Sequence, residues 1–309
     1  MIRLVTLQSG IAQGLLWAIL TIGVYITYRI LDFADLTIEG TFPLGAAVTV
    51  VLINSGMNPF LATAVAMLAG TLAGLSTGIL NTVFKIPGIL SGILSMIALY
   101  SVNIRIMSDK ATVAIAGNSI KKIVATLFPA GTVSNTLSTT VGIIVCAALI
   151  ATLYWFFGTE TGCAIRATGN NSKMSRSMGI NTDMMTIIGL MLSNAIVALS
   201  GSLIAQFDYG SALVNMGQGT IVIGLASVII GEVILIHKEH NFAYRLFSVV
   251  FGAIVYRTII SVVLTISGFK ATDIKIITAI IVAIALSIPV FKEKAAMRKK
   301  RNLAMKEGK

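Results

Sequence analysis

The sequence predicts an all-α fold, a polytopic membrane helical bundle of about 8–10 transmembrane helices with a broken or re-entrant second segment. Composition is the first observation behind this. Of 309 residues, 56% are hydrophobic and 11% charged, and mean hydropathy is +0.92, whereas soluble domains carry about 25% charged residues. The second is length. Apolar runs of about twenty residues, each able to cross ~30 Å of hydrocarbon at ~1.5 Å per residue, fill most of the chain and make 1–309 a single transmembrane domain. The third is a small-residue repeat: Gly70, Gly74 and Gly78, then Gly88 and Gly92, recur every four residues. That spacing puts them on one helix face and lets a neighbouring helix approach closely.

Taken in order, the N-terminal MIRLVTLQSGIAQGLLWAIL places a basic residue before an apolar stretch, as a secretory signal does. No small-residue cleavage site follows and the apolar stretch continues to Ile30, so a retained first span is expected at 11–30. Further spans are expected at 42–55, 60–84, 88–107, 137–157, 185–207, 219–236, 243–266 and 272–291. The 42–55 run is short. It follows RILDFADLTIEGTFPLGAA, where Asp32, Asp35 and Glu39 precede Pro43 and Gly45. Backbone that leaves helical geometry at membrane depth needs protein or a water-filled cavity to satisfy it, and discontinuous helices often line translocation paths. The other reading is an interfacial loop with Thr41 capping the next helix.

Charge sets the expected orientation. The formal net charge is +11, and much of it lies in 292–309, a basic tail running from Lys292 to Lys309. Basic residues flanking spans favour the cytoplasmic face and anionic lipid, so the C-terminus is expected there. Counting back places the longest polar segment, 158–184 with Arg166, Lys173 and Arg176, on the same side. The HKEH link at His237 falls there too. The N-terminus and the 108–136 loop fall outside, although that loop carries Lys110, Lys121 and Lys122. If 42–55 re-enters, the N-terminus moves inside.

Few residues offer chemistry. Arg257 sits well inside the eighth run, where a lipid-facing arginine costs from roughly 3 to more than 10 kcal/mol. It is therefore expected to face the interior and meet a carboxylate, a carbonyl or a substrate, with Glu232, Asp32, Asp35 and Glu39 as possible partners, in a structural ion pair or a transport role. Asn103 and Arg105 near the end of the fourth run and Asn194 in the sixth are weaker path candidates. Cys146 and Cys163 match no metal-ligand spacing, and HKEH matches HExxH neither in order nor in spacing, so no metal site is expected. No GxxxxGK[ST] loop occurs, so ATP-driven work needs another subunit. The basic residues of 158–184 are not interleaved with aromatics, which argues against nucleic acid.

The pattern GCAIRATGNN, then SRSMGINT and a span starting MMTIIGLMLSNAIVALSG, resembles the cytoplasmic loop of bacterial ABC importer permeases of the branched-chain amino acid and ribose group. DLTIEGTFPLGAA at 35–47 and GQGTIVIGLASVIIGE at 217–232 resemble its tryptophan/tyrosine-type subfamily. The resemblance implies a non-enzymatic permease in the bacterial plasma membrane. It also implies a second permease copy, a cytoplasmic ABC ATPase dimer that holds ATP and Mg, and an external solute-binding protein. A coupling helix is then expected within 170–179, with ATPase-coupling residues among Arg166, Ala167, Gly169, Asn170, Asn171, Met174, Arg176 and Gly179. Asn170 or Asn171 suits its cap and Gly179 its end. The implied cargo is an amino acid, with an aromatic one favoured. A stand-alone secondary transporter or channel is the alternative, with Asp32, Asp35, Glu39 and Arg257 as an ion relay.

Overall fold

In the computed structural model, which describes residues 4–127, 134–235 and 241–265 and isolated positions between 276 and 287, hydropathy has become helix almost run for run. The helices are α1 (Leu4–Tyr25), α2 (Ile38–Asn54), α3 (Pro59–Thr82), α4 (Gly88–Ile106), α5 (Ile120–Leu127), α6 (Ser134–Phe157), α7 (Glu160–Asn170), α8 (Ser172–Ser177), α9 (Thr182–Ile204), α10 (Thr220–Leu235) and α11 (Phe242–Thr265). Among the described residues, seven are long and apolar enough to cross a membrane and α2 is a shorter apolar eighth. The expected run at 272–291 lies mostly outside the described residues, as do 292–309 and His237.

Pairings between helices fix their directions. Ser193 and Ser200 of α9 donate to the carbonyls of Gly23 and Leu16, at 2.8 and 3.1 Å, so α1 is antiparallel to α9. Thr41 bonds Asn194 and Thr49 bonds Ser202, both at 2.7 Å, so α2 runs parallel to α9. The loop 158–184 therefore lies at one end of the bundle with the end of α1, and the start of α1 lies at the other. We call these the loop end and the far end.

α2 holds a surprise. Its continuous 17 residues include Pro43, and its start lies beside Asn194, at the middle of α9. The break expected inside the second run precedes it. After α1, a widened turn at Ile26–Ile30 closes with Leu31 N–H on the Ile26 carbonyl, at 3.0 Å. Asp32 then takes a left-handed backbone, φ 53°, tolerable for aspartate. Residues 31–37 climb to mid-depth without helix, and α2 continues for about 26 Å to the far end. Thr37, not Thr41, stands at the helix start. Thr41 is one turn inside.

Close packing holds the bundle. α9 packs against α1, α2 and α3 together. A Cβ on Gly74 would overlap the Leu190 carbonyl, and one on Gly45 would overlap that of Ala198. The α3 glycine stripe is thus a helix contact. Gly88 and Gly92 instead face Phe33 and Leu36 in the non-helical segment. At the far end, the 108–136 loop carries a strand, β1 (Thr112–Ala114), paired antiparallel with β2 (Ser211–Leu213).

Gly74→Leu should therefore force α3 from α9 and lower the unfolding temperature in detergent, by about 1–3 kcal/mol of stability or more. Leu72→Ala, at a side chain 64% exposed on the same helix, should change it little.

Candidate functional site

The loop end is built from two short helices. Thr159 opens α7, its hydroxyl accepting from Gly162 N–H at 3.4 Å. Asn171 caps α8 by accepting from Met174 N–H at 3.0 Å, and the chain leaves after α8 through Gly179 at φ 86°. α8 thus falls within the 170–179 window. Arg166, Ala167, Gly169 and Asn170 belong instead to α7, a separate helix that precedes α8 in the segment expected as loop. Arg166 lies over the Phe242 ring at 5.5 Å.

Arg176 faces inward along the surface. It donates to the Thr182 hydroxyl at 2.7 Å and to Asp183 at 2.9 Å, and Lys85 reaches the same carboxylate at 3.0 Å. These bonds tie α8 to the start of α9 and to the α3–α4 link. Outward, the end presents Met174 and Met178, 63% and 74% exposed. Gly169 presses on the Ile30 carbonyl, where a Cβ would overlap the oxygen, so α7 abuts the point at which α1 stops. Beside it opens a cleft of about 820 Å³ whose lining includes Arg29, Asp32, Arg166, Asn170 and Arg245.

The polar candidates divide by depth. Asp32 is at the loop end. Asp35, 2% exposed, accepts from Thr37 N–H at 2.9 Å and from Asn194 Nδ2 at 2.7 Å. Asn194 Oδ1 accepts from Thr41, making it the hub of a fully used network. Glu39, one turn farther along, is half-buried and accepts from Gly219 N–H at 3.0 Å. It borders a cavity of about 340 Å³ between α2 and α4, closed by a tight turn at Val214–Gly217 and lined also by Pro43, Met96, Tyr100, Asn103 and Gln218. Arg105 is exposed at the far end of α4, apart from this cavity.

Arg257 faces the interior, as expected, but its neighbours are none of the four carboxylates named for it. Glu232 pairs with Arg29 at 2.9 Å at the loop end, while Arg257 lies toward the far end, its guanidinium 3.7 Å above the Trp17 ring. Tyr209 hydrogen-bonds it and Asp208 stands near. Asp208 also accepts from Gln13 at 3.1 Å. Asp208 is not among the partners expected for Arg257, because it follows a strongly apolar run and sits far from residue 257 in the chain. An acid at the end of a span was the available signal. Among the described residues, no group of three or more His, Cys, Asp or Glu side chains is placed to hold a metal, and both cysteines are free.

Comparison with known proteins places this geometry. A family model described as branched-chain amino acid transport system / permease component matches residues 6–286. A tyrosine transport system permease protein of Clostridioides difficile (strain R20291) is 40% identical over 89% of this chain and 88% of its own. An uncharacterised protein of Rickettsia prowazekii (strain Madrid E) is 32% identical over 91% of this chain and 96% of its own. A fructose import permease protein of Bifidobacterium longum (strain NCC 2705) is 27% identical over 85% and 75%.

The buried network makes a measurable claim. Asn194→Leu strips Asp35 and Thr41 of a partner and should cost about 1–3 kcal/mol. Combined with Asp35→Leu, the loss should fall short of the sum of the single losses by about 1 kcal/mol, read from denaturation in detergent. Strict additivity would deny the contact.

Proposed function

The chain belongs to the family of permease components of branched-chain amino acid transport systems, a multi-pass membrane transport subunit and not an enzyme, and on that premise we propose that it imports an amino acid, an aromatic one favoured, in an ATP-driven ABC importer. The 40% identity to a tyrosine transport system permease supports the cargo class. In this reading a second copy completes the membrane unit, and two cytoplasmic ATPases bind ATP and Mg. An external binding protein delivers solute. The loop end, with the C-terminus, faces the cytoplasm, and the far end faces out.

The observation that carries the proposal is α8, a capped helix offering exposed Met174 and Met178 while Arg176, Asp183 and Lys85 tie it to the bundle. Apolar side chains exposed together suit a protein groove. Force applied there by closing ATPases passes through α7 to its contact at Ile30 and so to the non-helical residues 31–37. Those residues hold the start of α2 and the cavity beside Glu39, which we take as part of the solute path together with Asn103. Asp35 and Asn194 serve by fixing α2. A self-sufficient ion relay finds little support, because Asp32, Asp35 and Arg257 stand at three separate levels of the bundle.

Met174→Asp/Met178→Asp should leave the unfolding temperature within about 0.5 kcal/mol of wild type, as for other surface changes. ATPase co-purification and ATP-dependent uptake in proteoliposomes should fall at least about tenfold. Uptake at the wild-type rate would remove α8 from the coupling role.

Orientation has its own check. Cys163 is exposed on α7 and Cys146 buried, so a membrane-impermeant thiol reagent should label inside-out vesicles and spare intact cells. Labelling of Cys163 in intact cells would reverse the assignment.

A further inference from the structure

Resting on the importer reading, we propose that the cavity between α2, α4 and the Val214–Gly217 turn is where the permease holds its solute, and that it selects for a protonated amine carrying an apolar or aromatic body. The argument begins with what lines the cavity. No lysine, arginine or histidine is among its residues, and one carboxylate is. Glu39 lies at the middle of the bundle, where lipid is no acceptable neighbour for a carboxylate.

Glu39 has a structural task, because it accepts the backbone N–H groups of Gly219 and Ile221 at the start of α10. That task does not exhaust it. An ionised carboxylate accepts about four hydrogen bonds, which leaves capacity toward the cavity it borders. Asn103 adds a second acceptor. Its Nδ2 is committed to the Gly40 carbonyl at 3.1 Å, which orients the amide, and its Oδ1 has no partner although the residue is only 1% exposed. A carboxylate and an unpartnered amide oxygen on residues that line the same cavity, with no cationic side chain among that lining, suit a donor-rich, positively charged group.

The rest of the lining fits the remainder of such a molecule. Gln218 donates to Asn215 Oδ1 at 3.4 Å, and the remaining amide N–H groups of the pair suit a carboxylate or hydroxyl, while Met96, Pro43 and the Tyr100 ring form an apolar wall. An aromatic face also favours both a stacked ring and a nearby ammonium. A volume of about 340 Å³ lies at the small end of the range for ligand sites, roughly 300–1,000 Å³, which suits a solute of amino-acid size. Residues 31–37 lead directly into this segment, so movement at the loop end would change the cavity's shape.

The test uses the permease–ATPase complex in nanodiscs without a binding protein, so that only the permease selects. Three probes are compared by ligand-induced thermal shift and equilibrium binding: tyramine, tyrosine and 3-(4-hydroxyphenyl)propionate, the last lacking the amine. Tyramine and tyrosine should bind at least about tenfold more tightly than the propionate, the size expected for a charged hydrogen bond. Glu39→Gln keeps an oxygen for the α10 backbone but loses the charge, and should abolish that preference while the ligand-free unfolding temperature holds. The wild-type comparison stands by itself should the variant fold poorly. Equal binding of the propionate, an undiminished amine preference in Glu39→Gln, or no binding of any probe overturns the proposal. ATP-dependent tyrosine uptake by the full system alongside such a result would leave the importer reading intact, whereas loss of all ATP-dependent uptake would overturn that reading as well.

Discussion

Everything at the centre of this protein answers to one constraint: a backbone that stops being helical at membrane depth must find all its hydrogen-bond partners within the protein. Residues 31–37 are such a place. The chain meets the requirement with Leu31 and Phe33 bonding back to Ile26 and Thr27, and with Asp35 accepting from Thr37 and Asn194. Thr37 and Thr77 share a hydrogen bond at 2.6 Å and Ser95 accepts from Thr77 at 2.8 Å. A second irregular stretch arrives at the same depth. The Val214–Gly217 turn lies against α2 where Pro43 lacks the N–H that would otherwise occupy the Glu39 carbonyl, and Gly217 leaves room for that oxygen. Glu39 then accepts from Gly219, so one helical turn of α2 serves both interruptions.

This arrangement requires helices to approach almost backbone to backbone, which is why small residues and hydroxyls are concentrated along α2, α3 and α9. Ser202 bridges Thr49 and Thr63, and Gln206 adds a bond to Thr63 at 3.0 Å. In an apolar surround helices gain little from hydrophobic association, so close dispersion contact and short side-chain hydrogen bonds are the available cohesion. The exposed face of α3 and α4, by contrast, is studded with Leu and Ile.

How far the sequence speaks follows from the range of each interaction. Hydropathy is local, so the spans among the described residues were legible, most to within a few residues although α1 begins at Leu4 where residue 11 was expected, and glycine spacing marked the face of α3 that meets α9. Capping is local as well: Asn171, one of the two residues suited to the cap, opens α8, whose window came from the family resemblance. Thr159 and Glu160 offered the same sort of signal for α7, masked by the loop's polarity. What eluded reading was non-local. Nothing near Arg257 in the chain announces Trp17 or Asp208, and three-residue strands paired across about a hundred positions leave no periodic trace. Glu232 was an attractive partner for Arg257 by charge alone, but helix direction puts it beside Arg29.

α9 begins at the residues that Arg176 grips and ends in the residues that hold the far-end cap. There Gln206 accepts from Ile120 N–H at 2.9 Å, Lys121 donates to the Phe207 carbonyl at 2.8 Å, and β2 carries β1. A single rod thus has one tip fastened beneath α8 and the other fastened to the opposite surface. Axial play in it would be felt at both ends at once, because the rod between them is packed along its length against α1, α2 and α3; in the orientation proposed above, a partner seated on the far-end cap would share that movement with one seated at α8.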